Sequence, residues 1–314
     1  MKPTYKQSCQ IDPTKIDFSA FDQGDIREDQ FSDEELYGAG VDKQKKGLFQ
    51  EAITFTKNLQ HGRILFTITS VVIVANIALI LFAKPGVMSR MVIFILPIAI
   101  IFFALYTFGW IKEVERRMQL KWLLFAKQNG FIYYANPVGC NNPEAVAFNI
   151  GYGGTVSNML EFDDRLSVAE YAYKTKNGER EISHHFNFAR FRLENNVPHL
   201  VLNSKFSALQ IWGERKIKLE GNFQDHFTLY APDGFHIDAL QIFTPDVMSK
   251  LLDQEGKYDL ELVGSDLCIY EMHQGLIESG LTIKALDNPT KNRERHSRFI
   301  NFLSSVIEIA SEIR

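Results

Sequence analysis

Two stretches of the chain hold no charged residue over twenty positions each, "ILFTITSVVIVANIALILFA" from Ile64 to Ala83 and "MVIFILPIAIIFFALYTFGW" from Met91 to Trp110. As a helix, either run is about 30 Å long, the thickness of a bilayer's hydrocarbon core. Buried helices of water-soluble domains rarely run so far without a charge, and a cleaved signal peptide would lie nearer the start. The seven-residue link "KPGVMSR" turns at Pro85-Gly86 and makes the two runs antiparallel neighbours. The pattern predicts a transmembrane helical hairpin over residues 64–110. Asn76 is read as a hydrogen bond to the partner helix, and Pro97 as a bend. With no ionisable residue inside it, the pair reads as an anchor rather than a transport path.

On either side of the hairpin the pattern is mixed. Residues 41–63 read as a juxtamembrane helix. Residues 111–130 read as a helical extension that stops at Asn129-Gly130. Its Val114, Met118, Trp122 and Phe125 recur on one face. Arg116, Arg117 and Lys121 flank that face, and together with Trp122 they are expected to touch the membrane surface, where each base gains about 1 kcal/mol from anionic headgroups.

From residue 131 to 314 the period shortens to that of strands. Asn177-Gly178 is a hairpin turn between two long alternating runs. "DHFTLYAPDGFHIDALQIF" reads as two strands around Pro232-Asp233-Gly234, and "KYDLELVGSDLCIYEM" as a hairpin turning at Gly264-Ser265-Asp266. Thr244, Pro245 and Asp246 are cap, first-turn proline and first-turn acid of a helix that Gly256 ends. A last helix starts at Asn288-Pro289, with Phe299, Phe302, Leu303, Val306, Ala310 and Ile313 as its apolar stripe. Its Lys291, Arg293, Arg295 and Arg298 crowd the end where the helix dipole disfavours cations, which suggests an acidic or membrane partner. The expected fold class is α+β: a two-helix transmembrane hairpin followed by a mainly antiparallel-sheet cytosolic domain with a few helices.

Charge adds orientation. Residues 1–40 carry nine acids against four bases, so the remainder of a chain of net charge −4 is close to neutral. No basic field suggests nucleic acid. The acidic stretch reads as a disordered tail or a loosely docked strap, with short Phe-plus-acid partner-binding motifs as the alternative. Four Lys or Arg in residues 44–63 and five in residues 111–130, against two in the link, place both termini on the cytoplasmic side of a bacterial inner membrane.

The chemistry on offer is thin. Cys9, Cys140 and Cys268 have neither disulfide nor zinc spacing, and no metal or cofactor is expected. "IGYGGT" lacks the lysine of a phosphate loop and reads as a turn or bulge. His184 and His185 are neighbours on a strand and face opposite ways. If the two strands around Pro232 pair, His226 approaches His236 and Asp238, the one candidate polar cluster. It has no nucleophile beside it and is weighed as structural.

Phe227-x-Leu229-Tyr230 followed by Leu240-x-Ile242-x-Thr244-Pro245-x-Val247-Met248-x-x-Leu251, together with "FAKQNGFIYY", resembles a family of uncharacterised bacterial membrane proteins, domain of unknown function 3137. The resemblance covers roughly residues 111–275. It implies two closely spaced membrane helices before a soluble domain and brings no catalytic residues. The leading functional expectation is a membrane-anchored, cytosol-facing interaction or scaffold module whose partners are the lipid bilayer and a protein. The alternatives are a membrane-bound hydrolase acting near the bilayer surface and a small-ligand sensor signalling through the hairpin.

Overall fold

The computed structural model describes residues 11–41, 112–271 and 289–313, less a few positions within them. The expected hairpin over residues 64–110, the expected juxtamembrane helix and the first ten residues lie outside the described residues. Among the described residues no helix is long and apolar enough to cross a membrane. Two compact units divide the chain: residues 42–117, and a second comprising residues 1–41 with 118–314. The second unit holds the sheet and its cover.

The alternating run after Asn177-Gly178 forms the longest strand, and the sheet is organised around it. The strands are β1 (Ile132–Tyr134), β2 (Tyr152–Glu161), β3 (Leu166–Asn177), β4 (Arg180–Ser204), β5 (Arg215–Ile217), β6 (Phe227–Ala231) and β7 (Tyr258–Glu271). Every pairing is antiparallel, in the order β1-β2-β3-β4-β6-β5, with β7 on the other edge of β4. One strand can serve so many partners because it is 25 residues long, and its pairing with β7 is irregular between Arg192 and Leu200. Before that break β4 pairs β3; after it, β6. Such breaks bend a strand and raise its twist. The mainly antiparallel α+β domain read from the sequence is what forms.

β7 is a single strand rather than the expected hairpin. Gly264 has a φ of +61° and pairs Val197 inside the irregular part of β4. Its freedom serves a bulge, not a turn. In "IGYGGT" a glycine is required for closeness: a Cβ on Gly154 would lie 1.8 Å from the Tyr171 hydroxyl, which donates to the Phe148 carbonyl at 2.8 Å.

The stretch His236–Ile242 is a helix, not the second strand of a pair. Its buried position is Ala239, and Phe243 just past its end, four residues on, is buried too, a helical spacing that a run of eight residues does not distinguish from alternation. Thr244 caps the next helix, Pro245–Asp253, accepting from the Val247 N–H. The terminal helix Pro289–Glu312 buries Phe299, Phe302, Leu303, Val306 and Ala310, the expected stripe, against the sheet and the Pro245–Asp253 helix.

The acidic tail departs most from expectation. From Ile11 to Val41 it is a folded strap, with Ala20, Phe21, Ile26, Phe31, Leu36, Ala39 and Val41 buried in the main core. Phe21 meets Trp122 edge-on at 4.7 Å, and Phe18 and Phe21 lie 5.1 Å and 5.4 Å from Phe125. Asp17 and Asn129 exchange two hydrogen bonds of 2.8 Å, and Glu35 pairs Lys127 at 2.6 Å. Ser32 and Glu35 form a capping box for the helix Asp33–Gly38. Each buried phenyl ring stabilises by roughly 1.5–3 kcal/mol, which outweighs an acidic composition that alone suggests disorder.

That docking corrects two of the four membrane-surface residues. Trp122 is buried against Phe21 because it lies on the apolar stripe, and Lys121 is buried with its ammonium donating to the Phe21 carbonyl at 3.4 Å. Arg116 and Arg117 are half-buried and both pair with Glu113, at 3.0 Å and 3.1 Å.

Candidate functional site

Along β7, Tyr258, Leu260 and Leu262 point to one face of the sheet and Asp259, Glu261 and Val263 to the other. The first three join the core under the strap and helices. The second face is covered as well, by the turn Val146–Asn149 and by Ser207, Leu209 and Ile211, with Ala147 and Phe148 also buried there. Both acids are therefore fully buried. A buried carboxylate is costly unless it is paired and hydrogen-bonded.

Glu261 is provided for on both oxygens. Oε1 accepts from the Val146 N–H at 2.6 Å and lies 2.7 Å from His199 Nε2. Oε2 accepts from the Tyr270 hydroxyl at 3.0 Å and from the Ala147 N–H at 3.4 Å. The two N–H groups open a short 3-10 turn, so they are donors that no helix carbonyl satisfies. The Glu261 hydrogen bond raises the His199 pKa against the opposing effect of burial, with smaller help from the charges of Glu214 and Glu144. His199 is the member that reaches solvent, its side chain 37% exposed.

Asp259 is provided for on one side only. Oδ1 accepts from the Ser204 N–H at 2.7 Å. Oδ2 is buried without a hydrogen-bond partner among the described residues. Burial pushes this carboxyl up to about 7, against the pull of Ser207 and of the Ser204 N–H.

The pair His199–Glu261 can hold and pass a proton at a solvent-facing imidazole. It has poor nucleophiles beside it. Burial pushes the Cys268 thiol up to about 12 and Tyr270 well above its ordinary value. Among the described residues, no three His, Cys, Asp or Glu side chains converge as metal ligands. What the geometry does provide is a clamp: one carboxylate fastens the turn 146–149, strand β4 and strand β7 together.

The cluster suspected from sequence is not assembled. His226 ends the helix Phe223–His226, before β6, and His236 opens the helix after it. The five residues of β6 and the turn Pro232–Phe235 lie between them, so the two histidines are not on paired strands. His236 and Asp238 are both exposed and two apart on a helix, a spacing that does not bring side chains together. His226 is half-buried, its ring 5.3 Å from Phe206, with Nδ1 unpartnered among the described residues. Asp233 bridges Arg215 at 2.8 Å.

Sequence reasoning missed Glu261, Asp259 and His199. "YDLELV" alternates acid with apolar, the signature of a strand with one wet face. Only the cover over that face makes the acids internal. Compared with protein-family models, with curated proteins and with solved structures, the chain matches none.

Proposed function

We propose that the chain is a membrane-anchored, cytosol-facing interaction module. The two charge-free twenty-residue runs and their basic flanks support the anchor. The observation that carries the interaction role is the helix His236–Ile242. Phe235, just before it, and Ile237 and Leu240 within it are 45%, 58% and 44% exposed, while the helix itself buries only Ala239. Three large apolar side chains exposed within six residues form the kind of patch that protein contacts use, and a scattered exposed leucine is not.

Photo-crosslinking from position 237 of the full-length protein in its own membranes tests this reading, with position 182 as control. A discrete adduct from 237, absent from 182 and lost in Phe235→Ser/Leu240→Ser, is the expected result. Solvent-quenched probe at both positions is the opposite one. The anchor has a separate test: a cysteine at Ser89 is expected to label from outside intact cells, and labelling only from inside reverses the orientation.

A further inference from the structure

Two Asn-Gly pairs occur in the chain, Asn129-Gly130 and Asn177-Gly178. An asparagine followed by glycine readily loses its side-chain amide, because no Cβ shields the next backbone nitrogen from the side-chain carbonyl carbon. The attack needs a mobile side chain and an open nitrogen, so the fold decides which pair reacts.

Asn129 is held at both ends of its amide. Oδ1 accepts from the Asp17 N–H at 2.8 Å, and Nδ2 donates to the Asp17 carbonyl at 2.8 Å and to the Phe125 carbonyl at 2.9 Å. Two of these three bonds come from the strap. Asn177 is the opposite case. It pairs Arg180 as the last rung between β3 and β4, which leaves Gly178 and Glu179 as a two-residue loop. In such a loop the rung residues exchange the backbone hydrogen bonds, and the N–H of the first loop residue is left unbonded. The Asn177 side chain is exposed, with no hydrogen bond among the described residues. Gly178 has a φ of +63°, and a Cβ placed on it would meet nothing within 4 Å, so the approach to its nitrogen is open.

We propose that Asn177-Gly178 is a self-modifying site, converting to aspartate and isoaspartate in the folded protein, while the docked strap keeps Asn129-Gly130 intact. This inference does not rest on the membrane reading. The Gly178 nitrogen attacks the Asn177 Cγ and gives up its proton to water. The bond from Cγ to the side-chain nitrogen breaks, and ammonia leaves. Water then opens the five-membered imide at either carbonyl. Closing that ring takes Asn177 out of the extended conformation, so its rung to Arg180 has to open. It is the outermost rung, and element ends fray at little cost. At Asn129 three hydrogen bonds open first, two of them with the strap.

The two products act differently on the hairpin. Aspartate places a carboxylate directly across from Arg180, a favourable cross-strand pair. Isoaspartate carries the backbone through the side-chain carbon and lengthens the loop by one atom. Loop length sets hairpin register, so the misfit falls on the next rung, where Glu181 accepts from the Tyr152 hydroxyl at 2.8 Å and from Lys174 at 3.2 Å.

Peptide mapping by mass spectrometry of the full-length protein in detergent micelles at pH 8 follows both sites, with isoaspartate read by enzymatic methyl transfer to its free α-carboxyl. The same protein unfolded in guanidinium chloride is the standard, since there both pairs are equally free. In the folded protein Asn177 is expected to convert within roughly tenfold of its unfolded rate, and at least roughly tenfold faster than Asn129. Equal folded rates at the two sites, or an Asn177 that stays intact while the unfolded chain converts, overturns the proposal. Phe21→Ala, which loosens the strap, is expected to speed Asn129 and leave Asn177 unchanged. An unmoved Asn129 rate overturns the strap's part in it. Should that variant fail to fold, the comparison of the two sites in the parent still decides.

Discussion

The two faces of β7 solve the same problem with different chemistry. On one, Tyr258, Leu260 and Leu262 pack beneath the strap and the terminal helix, with Tyr258 5.9 Å from Phe302. On the other, Asp259 and Glu261 are buried just as deeply, one with four donors and the other with an oxygen left over. Apolar burial is non-directional and tolerates small misfits. A buried carboxylate stabilises only if each oxygen meets its donors, so two acids two residues apart on one strand act in opposite senses.

The largest expected effect comes from breaking the satisfied side. Glu261→Ala leaves two backbone N–H groups, His199 and the Tyr270 hydroxyl without their acceptor, and is expected to cost about 3–5 kcal/mol in urea unfolding. A variant within about 1 kcal/mol of the parent would mean that water replaces the carboxylate at no loss. On the apolar face, Phe21→Ala is expected to cost about 3–4 kcal/mol, because the ring is enclosed by Trp122 and Phe125. The same measurement decides whether the strap is part of the fold. If Phe21→Ala is neutral, the strap is dispensable and truncations before residue 41 are safe; otherwise a partner screen using such truncations compares folded with damaged protein.

A smaller effect, of opposite sign, belongs to Asp259. Its folded pKa lies above the unfolded value, so its contribution is fully present below about pH 4 and lost as pH rises through about 7. The shift corresponds to roughly 4 kcal/mol as an upper bound. Asp259→Asn keeps an oxygen for Ser204 and carries no charge, and is expected to stabilise by about 1–3 kcal/mol at pH 8 and by little at pH 4. The smallest effect is His199→Gln. The raised pKa of His199 gives stability that is present below about 6.5 and lost as pH rises through the folded value, so the variant flattens the alkaline part of the pH profile alone. A profile that climbs from pH 5 to 8 contradicts both signs.

How much of this is legible in the sequence follows the same division. Features set by local geometry are readable. Asn177-Gly178 turns between β3 and β4, Thr244 caps its helix, and the stripe from Phe299 to Ile313 is buried. Features set by what covers a surface are not. "FSAFDQGDI" is acidic enough to suggest disorder, and only the aromatic face of residues 118–129 and Phe299 makes Phe18 and Phe21 docking residues. "YDLELV" suggests one wet face until the turn 146–149 with Leu209 and Ile211 lies over it. His226, His236 and Asp238 meet only if a strand pair joins them, and a helix stands where the second strand is expected. The four residues expected at the membrane surface divide for the same reason: Lys121 and Trp122 are covered by the strap.

One comparison bears on both acids at once: urea unfolding of Asp259→Asn and Glu261→Gln, made in parallel in the full-length protein at pH 8. Both changes swap a buried carboxylate for its neutral amide two residues apart on one strand. The satisfied acid keeps one acceptor oxygen and gains an NH2 group facing two of its four donors; the unsatisfied acid loses only a charge. Opposite signs are expected, Asp259→Asn more stable than the parent and Glu261→Gln less stable. Shifts of the same sign in both would contradict the distinction between the two acids.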